Sequence, residues 1–292
     1  MRINTNINSL IAQESSNINN QNSSSSLEKL SSGFAINKAS DNASGLAISD
    51  KLRTQRSSLD SSVNNANSAI AMMQIADRAM GEQSNILDIV KTKLIQSATA
   101  TTSSEGSNAI AKDINKLLNQ LDNIAKQTNY NGQTILQESS TSQNVASTMT
   151  FQVGEKNTDT IVTDSNIQAN TNGLAASAPL DDLSDLKTDT SGSGTLLNAT
   201  NSKTYLSVID LALDDLNNMR SSYGSTQVQV ESSLRNINTA ITNISSAESV
   251  IRDVDFAQES ANFSKNSIVS TASSYTLSQA NSVQNDVLKL LQ

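Results

Sequence analysis

The sequence predicts a mainly α fold: a long-helix antiparallel bundle or coiled coil carrying one small β-hairpin. Three observations lead there. Apolar residues recur at alternating steps of four and three over long stretches, the pattern of a helix seam that packs on another helix. Aromatic residues are only 3% of the 292-residue chain and Trp is absent, so a wide globular core is hard to build while narrow Leu/Ile/Val/Ala seams are not. The chain also has a single proline, Pro179, which leaves room for long uninterrupted helices.

The first seam starts at Leu59 and runs Leu59, Val63, Ala66, Ile70, Met73, Met80, Leu87 and Leu94, with Asp77, Ser84 and Lys91 as polar interruptions. No proline breaks it, so one helix from about Gly45 to about Thr99 is expected, roughly 80 Å at ~1.5 Å per residue. The Met72-Met73 pair puts Met73 on the seam, as core filling. A second seam follows Gly106, with Ile110, Ile114, Leu117, Leu121 and Ile124, and stops at the turn signal Tyr130-Asn131-Gly132. The third runs Tyr205, Ile209, Ala212, Leu216, Met219, Tyr223, Val230, Ile237, Ile244 and Ile251. Each helix needs the other two to bury its stripe. The expected bundle core is therefore Leu59, Val63, Ile70, Met73, Ile114, Leu117, Leu121, Leu216, Ile237 and Ile244.

Between the second and third seams the period changes to two. Met149–Gly154 and Asp159–Thr163 alternate across polar turn formers and predict a β-hairpin at about 149–163. Residues 164–203 are rich in Ser, Asn, Asp and Gly and read as exposed loop with room for one short helix. Gly33 and Gly45 flank the approach to the first long helix and are read as places where the chain turns.

The two ends carry thin apolar stripes diluted by Asn and Ser. Ile3, Ile7, Leu10, Ile11, Ile18, Leu27, Leu30 and Phe34 make one; Phe256, Phe263, Ile268, Leu277, Ala280, Val283, Val287 and Leu291 make the other. Each is too weak to hold a lone helix in water, so both are expected to fold when a partner covers them.

Composition excludes much chemistry. There is no His and no Cys, which removes conventional triads, disulfides, thiolate nucleophiles and cysteine zinc sites. A net charge of −8 argues against a nucleic-acid binder. No stretch reaches the ~18 apolar residues of a membrane span. The carboxylate groups Asp181, Asp182, Asp185 and Asp210, Asp214, Asp215 lack the alternating oxygen ligands, central Gly and closing Glu of a calcium loop, and read as solvated surface acid. No enzyme, cofactor or metal is expected. Met1–Leu10 has no continuous apolar region of a secretory signal, which taken alone suggests a cytoplasmic protein.

Two long motifs change that last reading. Leu30-Ser31-Ser32-Gly33-Phe34-Ala35-Ile36-Asn37, with Ala39-Ser40-Asp41-Asn42-Ala43-Ser44-Gly45-Leu46-Ala47-Ile48-Ser49, resembles the N-terminal signature of bacterial flagellins. Ile251-Arg252-Asp253-Val254-Asp255-Phe256-Ala257-Gln258-Glu259 and Ala280-Asn281-Ser282-Val283-Gln284-Asn285-Asp286-Val287-Leu288 resemble the C-terminal one. One departure is visible: the family usually has Leu-Arg where Phe34-Ala35 stands.

The resemblance implies a short, two-domain form. Residues 1–44 and 255–292 would be the helical parts of an inner-tube domain, paired in the assembled filament, and 45–254 the helical-bundle domain. The inner-tube contacts would be Ile3, Ile7, Leu10, Phe256, Phe263, Leu277, Val283, Val287 and Leu291. The implied function is a structural subunit that polymerises into the extracellular flagellar filament for swimming motility. Implied partners are further copies of the chain, an export chaperone on the C-terminal segment, and filament cap and junction proteins, with no nucleic acid and no membrane span. Export would proceed through the flagellar channel without a cleaved signal. The alternatives are a hook–filament junction protein of the same superfamily and a soluble coiled-coil scaffold. The stretch through which typical flagellins are sensed by Toll-like receptor 5 is altered here, with Ile89, Lys91 and Thr92 at the positions of the family's two arginines and glutamate. The resemblance is therefore to the poorly sensed subfamily.

Overall fold

The computed structural model describes residues 6–99, 101–139, 141–164, 167–175, 183–190 and 197–290, the side chains of 184 and 284–290 excepted. Ile3 and Leu291 lie outside the described residues, as does the Val287 side chain. In order the elements are α1 (Ile7–Ser32), α2 (Ala43–Ser97), α3 (Ser104–Gln127), β1 (Asn129–Tyr130), β2 (Gln133–Thr134), β3 (Thr150–Gln152), β4 (Thr160–Val162), α4 (Leu183–Thr190), α5 (Ala199–Arg252) and α6 (Phe256–Leu290). The contacts divide the chain into two compact units, Met1–Ser57 with Ala240–Gln292, and Ser58–Thr239.

The helix ends are written in the sequence. Asn6 caps α1 by accepting the Ser9 N–H at 3.1 Å, and Gly33 closes it at φ +77°, a left-handed conformation that favours glycine. Ser103 caps α3 through the Gly106 N–H at 3.1 Å, and Asp255 caps α6 through the Ala257 and Gln258 N–H groups at 3.0 and 3.1 Å. Gly45 is no turn. It sits within α2, and a Cβ there would meet Ile36 Cδ1 at 2.6 Å, so its role is close packing.

In the larger unit, α2 and α5 run antiparallel: Lys91 pairs with Asp210, Arg220 Nε donates to Asp77 at 2.9 Å, and Ser202 Oγ meets Ser97 Oγ at 3.2 Å. From α2, Leu59, Ala66, Met73, Met80, Leu87 and Leu94 are buried at every seventh position. The second row is Ser62, Ala69, Ala76, Gln83, Val90 and Ser97, also buried. That row lies one residue before the one expected from Val63 and Ile70, which are only half-buried. The expected row carries Asp77, Ser84 and Lys91; the observed one carries mostly small side chains, which let the helices approach while the charges stay at the flank. A one-residue shift in the other direction occurs on α3, where Leu118 is fully buried and Leu117 half-buried, beside buried Ile114 and Leu121. On α5 the expected spacing stands: Ile209, Leu216, Tyr223, Val230 and Ile237 are all buried. Ile244 belongs to the smaller unit and is half-buried.

β3 and β4 form the expected antiparallel hairpin, with Phe151 opposite Ile161. The turn signal at Tyr130-Asn131-Gly132 closes a second hairpin, β1 with β2, with φ of +51° at Asn131 and +82° at Gly132, as a type I′ turn requires.

The expectation of an exposed loop over 164–203 is corrected by the described parts of that stretch. Ile167, Ala169, Leu174, Leu183, Leu186 and Leu197 are buried. The backbone needs partners for this, and polar side chains of the bundle supply them. Buried Asp122 accepts the Thr171 N–H at 2.8 Å and hydroxyl at 2.9 Å, and pairs with Lys187. Gln83 Nε2 donates to Ala169 O at 2.7 Å, Asn115 Nδ2 to Lys187 O at 2.9 Å, and Asp215 accepts the Ala175 N–H at 3.0 Å.

Candidate assembly surface

The two end stripes meet each other. α1 lies antiparallel to α6, and their contact is written largely in Ser and Asn. Asn6 Nδ2 donates to Ala280 O at 2.9 Å, Ser9 Oγ to Asn281 Oδ1 at 2.8 Å, Asn19 Nδ2 to Ser273 Oγ at 3.2 Å, and Ser270 Oγ to Asn20 Oδ1 at 2.8 Å. Small and polar residues between the helices, with Ala12 and Ser26 buried, leave the large apolar side chains pointing to solvent. Ile7 is 55% exposed, Leu10 56%, Phe256 64% and Val283 52%; Ile11, Ile18, Leu27, Ile268 and Tyr275 are exposed as well. Phe263 and Leu277 are half-buried. The expectation that the tails stay unfolded until a partner arrives thus meets a helix pair within one chain, whose polar contact sets the pairing and whose apolar face is left uncovered.

Exposed apolar groups of this size, repeated on two adjoining helices, form the candidate surface for association. Burying one Leu or Ile side chain contributes roughly 1.5–3 kcal/mol.

A clasp joins the connection after α1 to the connection before α6. Phe34 and Asp253 form an isolated antiparallel bridge, with the Ala35 N–H donating to Arg252 O at 2.7 Å and the Val254 N–H to Gly33 O at 3.0 Å. Beside it, Asp41 accepts the backbone N–H groups of Lys38 and Asn37, which hold its carboxyl below the usual carboxylate range. The Lys38 ammonium is raised by its hydrogen bond to Glu28 at 2.6 Å.

The remaining candidates are surface features of the larger unit. Ile89 is exposed on α2; Thr92 is exposed and donates its hydroxyl to Ile89 O at 2.8 Å; Lys91 is held by Asp210, which raises its ammonium. Asp210 and Asp215 therefore have protein partners. Among the described residues no group of three or more carboxylates is placed to hold a metal ion, and no helix is long and apolar enough to cross a membrane.

Known proteins share this sequence pattern. The family model for the bacterial flagellin N-terminal helical region matches residues 3–141, and that for the C-terminal helical region matches residues 206–291. The chain is 33% identical to the flagellin of Bacillus subtilis strain 168 over 312 aligned residues, covering 100% of both chains. It is 30% identical to the flagellar filament 33 kDa core protein of Treponema phagedenis, again over 100% of both. Flagellin B of Helicobacter pylori strain J99 is 48% identical over 160 residues, which is 55% of this chain and 30% of that protein. The chain thus spans under a third of the length of that relative and the whole of the other two.

Proposed function

The chain belongs to the bacterial flagellin family, and from that premise we propose that it is a structural subunit of the extracellular flagellar filament, joined to copies of itself through the exposed apolar side chains of α1 and α6. The observation that carries this reading is the uncovered row Ile7, Leu10, Phe256 and Val283 on two helices whose mutual contact is polar. In water that row is unfavourable; along a polymer every added subunit buries it again. Electron microscopy of purified protein after a polymerisation step tests the assignment. Long filaments of uniform width are expected. Short caps or rings would favour the hook–filament junction reading, and soluble dimers a coiled-coil scaffold.

The same premise supplies the partners: a chaperone that shields the apolar C-terminal segment before export, passage through the flagellar channel without a cleaved signal, and cap and junction proteins at the filament ends. The role is structural rather than enzymatic. A second reading concerns recognition by a host. Exposed Ile89 and Thr92, with Lys91 occupied by Asp210, remove the planar guanidinium forks and the carboxylate of the family's receptor-contact stretch, which supports weak activation of Toll-like receptor 5.

A further inference from the structure

The chain contains the dipeptide Asn-Gly twice, at Asn131-Gly132 and Asn172-Gly173, and the fold treats the two copies in opposite ways. Asn172 Nδ2 donates to Gln143 Oε1 at 2.8 Å, the Asn172 N–H donates to Asn170 Oδ1 at 3.0 Å, and the Gly173 N–H donates to Asn170 O and Oδ1, both at 3.1 Å. Both the amide that would leave and the nitrogen that would attack are thereby engaged. Asn131 sits exposed at the tip of the β1–β2 hairpin; neither its side-chain amide nor the Gly132 N–H makes a hydrogen bond among the described residues. A Cβ at Gly132 would meet nothing within 4 Å, so the approach to its nitrogen is open. The ladder behind the turn is only two residue pairs long, Asn129 with Thr134 and Tyr130 with Gln133, so local opening of the turn costs little.

From this contrast we infer that Asn131 is a site of spontaneous deamidation in the folded protein and that Asn172 is protected from it. The Gly132 nitrogen, giving up its proton, forms a bond to Asn131 Cγ. The Cγ–Nδ2 bond breaks, and the NH2 group leaves with one proton as ammonia. The resulting succinimide takes up one water. Attack at Cγ gives aspartate, and attack at the main-chain carbonyl gives isoaspartate, in which the backbone passes through Cγ. Only water enters and only ammonia leaves, with no change in oxidation state. The product matters where it lies. Asn131 lines an open cleft of about 950 Å³ shared with Lys126, Tyr130, Glu138 and Phe151. A new carboxylate there, or a main chain one atom longer in a type I′ turn, alters both the charge and the shape of that cleft.

The test incubates the full-length protein, folded and in concentrated urea, in mildly alkaline buffer. Peptide mass mapping and enzymatic isoaspartate labelling read both sites over time. In the folded protein the Asn131 peptide is expected to gain about one mass unit as an aspartate and isoaspartate mixture, about tenfold or more faster than the Asn172 peptide, the factor imposed by breaking the hydrogen bonds of both the Asn172 amide and the Gly173 N–H. In urea the two sites should converge. Gly132→Ala should slow the reaction at Asn131 alone, by hindering the attacking nitrogen. Equal rates at the two sites in the folded protein would overturn the inference. So would an Asn131 that keeps its amide while the urea sample has turned over, or one that reacts in neither sample.

Discussion

The Arg252 guanidinium carbon lies 4.3 Å from the centroid of the Phe34 ring. These residues come from the two connections of the smaller unit, the one between α1 and α2 and the one between α5 and α6, and the stack adds to the backbone bridge between Gly33–Ala35 and Arg252–Val254. The motif that the N-terminal segment resembles has an arginine at position 35, where this chain has Ala35. Here the guanidinium comes from the other side of the bridge, and the ring at position 34 receives it. The departure from the pattern at Phe34-Ala35 is thus matched by a contact that the linear motif does not show.

The stack makes a quantitative prediction. In a double-mutant cycle with Phe34→Leu and Arg252→Met, the coupling energy should be about 0.5–1 kcal/mol, the size of a partly exposed cation–π contact. Urea unfolding of the four proteins measures it. Strict additivity would mean the two groups merely lie near each other.

Ile7→Asp combined with Val283→Asp should separate folding from assembly. Both side chains are more than half exposed in the single chain, so the two substitutions together should cost no more than about 1 kcal/mol of unfolding free energy. Filament formation, followed by light scattering and microscopy, should be lost, because each charge would be buried against a neighbour. Wild-type filaments from this variant would show that the α1–α6 face is not the assembly contact.

Asp122→Ala should release the segment that packs on α3. It leaves the Thr171 N–H, the Thr171 hydroxyl and the Lys187 ammonium without their acceptor, at a cost of about 2–3 kcal/mol. Limited proteolysis should then cut within 167–190 well before it cuts α2 or α5. Cleavage at the wild-type rate would show that apolar burial of Leu174, Leu183 and Leu186 holds the segment without this carboxylate.

Acid should loosen three places first, one of them at Glu138, whose carboxyl is lowered by hydrogen bonds from the Ser142 hydroxyl and then the Asn144 amide. Asp41 is lowered by the backbone N–H groups of Lys38 and Asn37, and Asp113 by its hydrogen bond to Lys93 and then by that charge. A carboxyl lowered in the folded state stabilises above its unfolded value and loses that contribution as pH falls through the folded one. The urea midpoint should therefore stay level from pH 8 to 5, where the absence of His removes the usual titrating group, and decline below about pH 4. Asp41→Asn, which keeps a neutral acceptor, should decline less steeply than wild type. A fall already between pH 7 and 5 would point to a different titrating group.

Restoring the receptor stretch should restore recognition. Ile89→Arg, Lys91→Arg and Thr92→Glu together should raise activation of a Toll-like receptor 5 reporter by about 30-fold or more, the value of one charged interface hydrogen bond of 2–5 kcal/mol. Wild-type potency equal to that of a typical flagellin would sink the reading, and an unimproved variant would place the deficit elsewhere.

The long helices, the 149–163 hairpin and the end stripes were all legible in the sequence, because seam period is a local property. Nothing local decides which of two neighbouring rows on α2 faces inward. Val63 and Ile70 look the better core residues, yet Ala69 and Ala76 are fully buried, since small side chains allow closer helix approach and keep Asp77 and Lys91 at the flank. A better guide was present in the row from Ser62 to Ser97, which carries no charge at all.

Read alone, the polar stretch after residue 164 gives no sign of burial. Its order depends on Asp122, 49 positions before Thr171, and on Gln83, 86 positions before Ala169. The same division holds at the ends. Sequence alone determined that α1 and α6 carry apolar residues too sparse for a solitary helix. Only the tertiary structure decided that Ser and Asn side chains of the two helices face each other while Ile7, Leu10, Phe256 and Val283 face solvent, because hydrogen bonds between two helices need both partners in register, and that register exists only once the chain has brought its ends together.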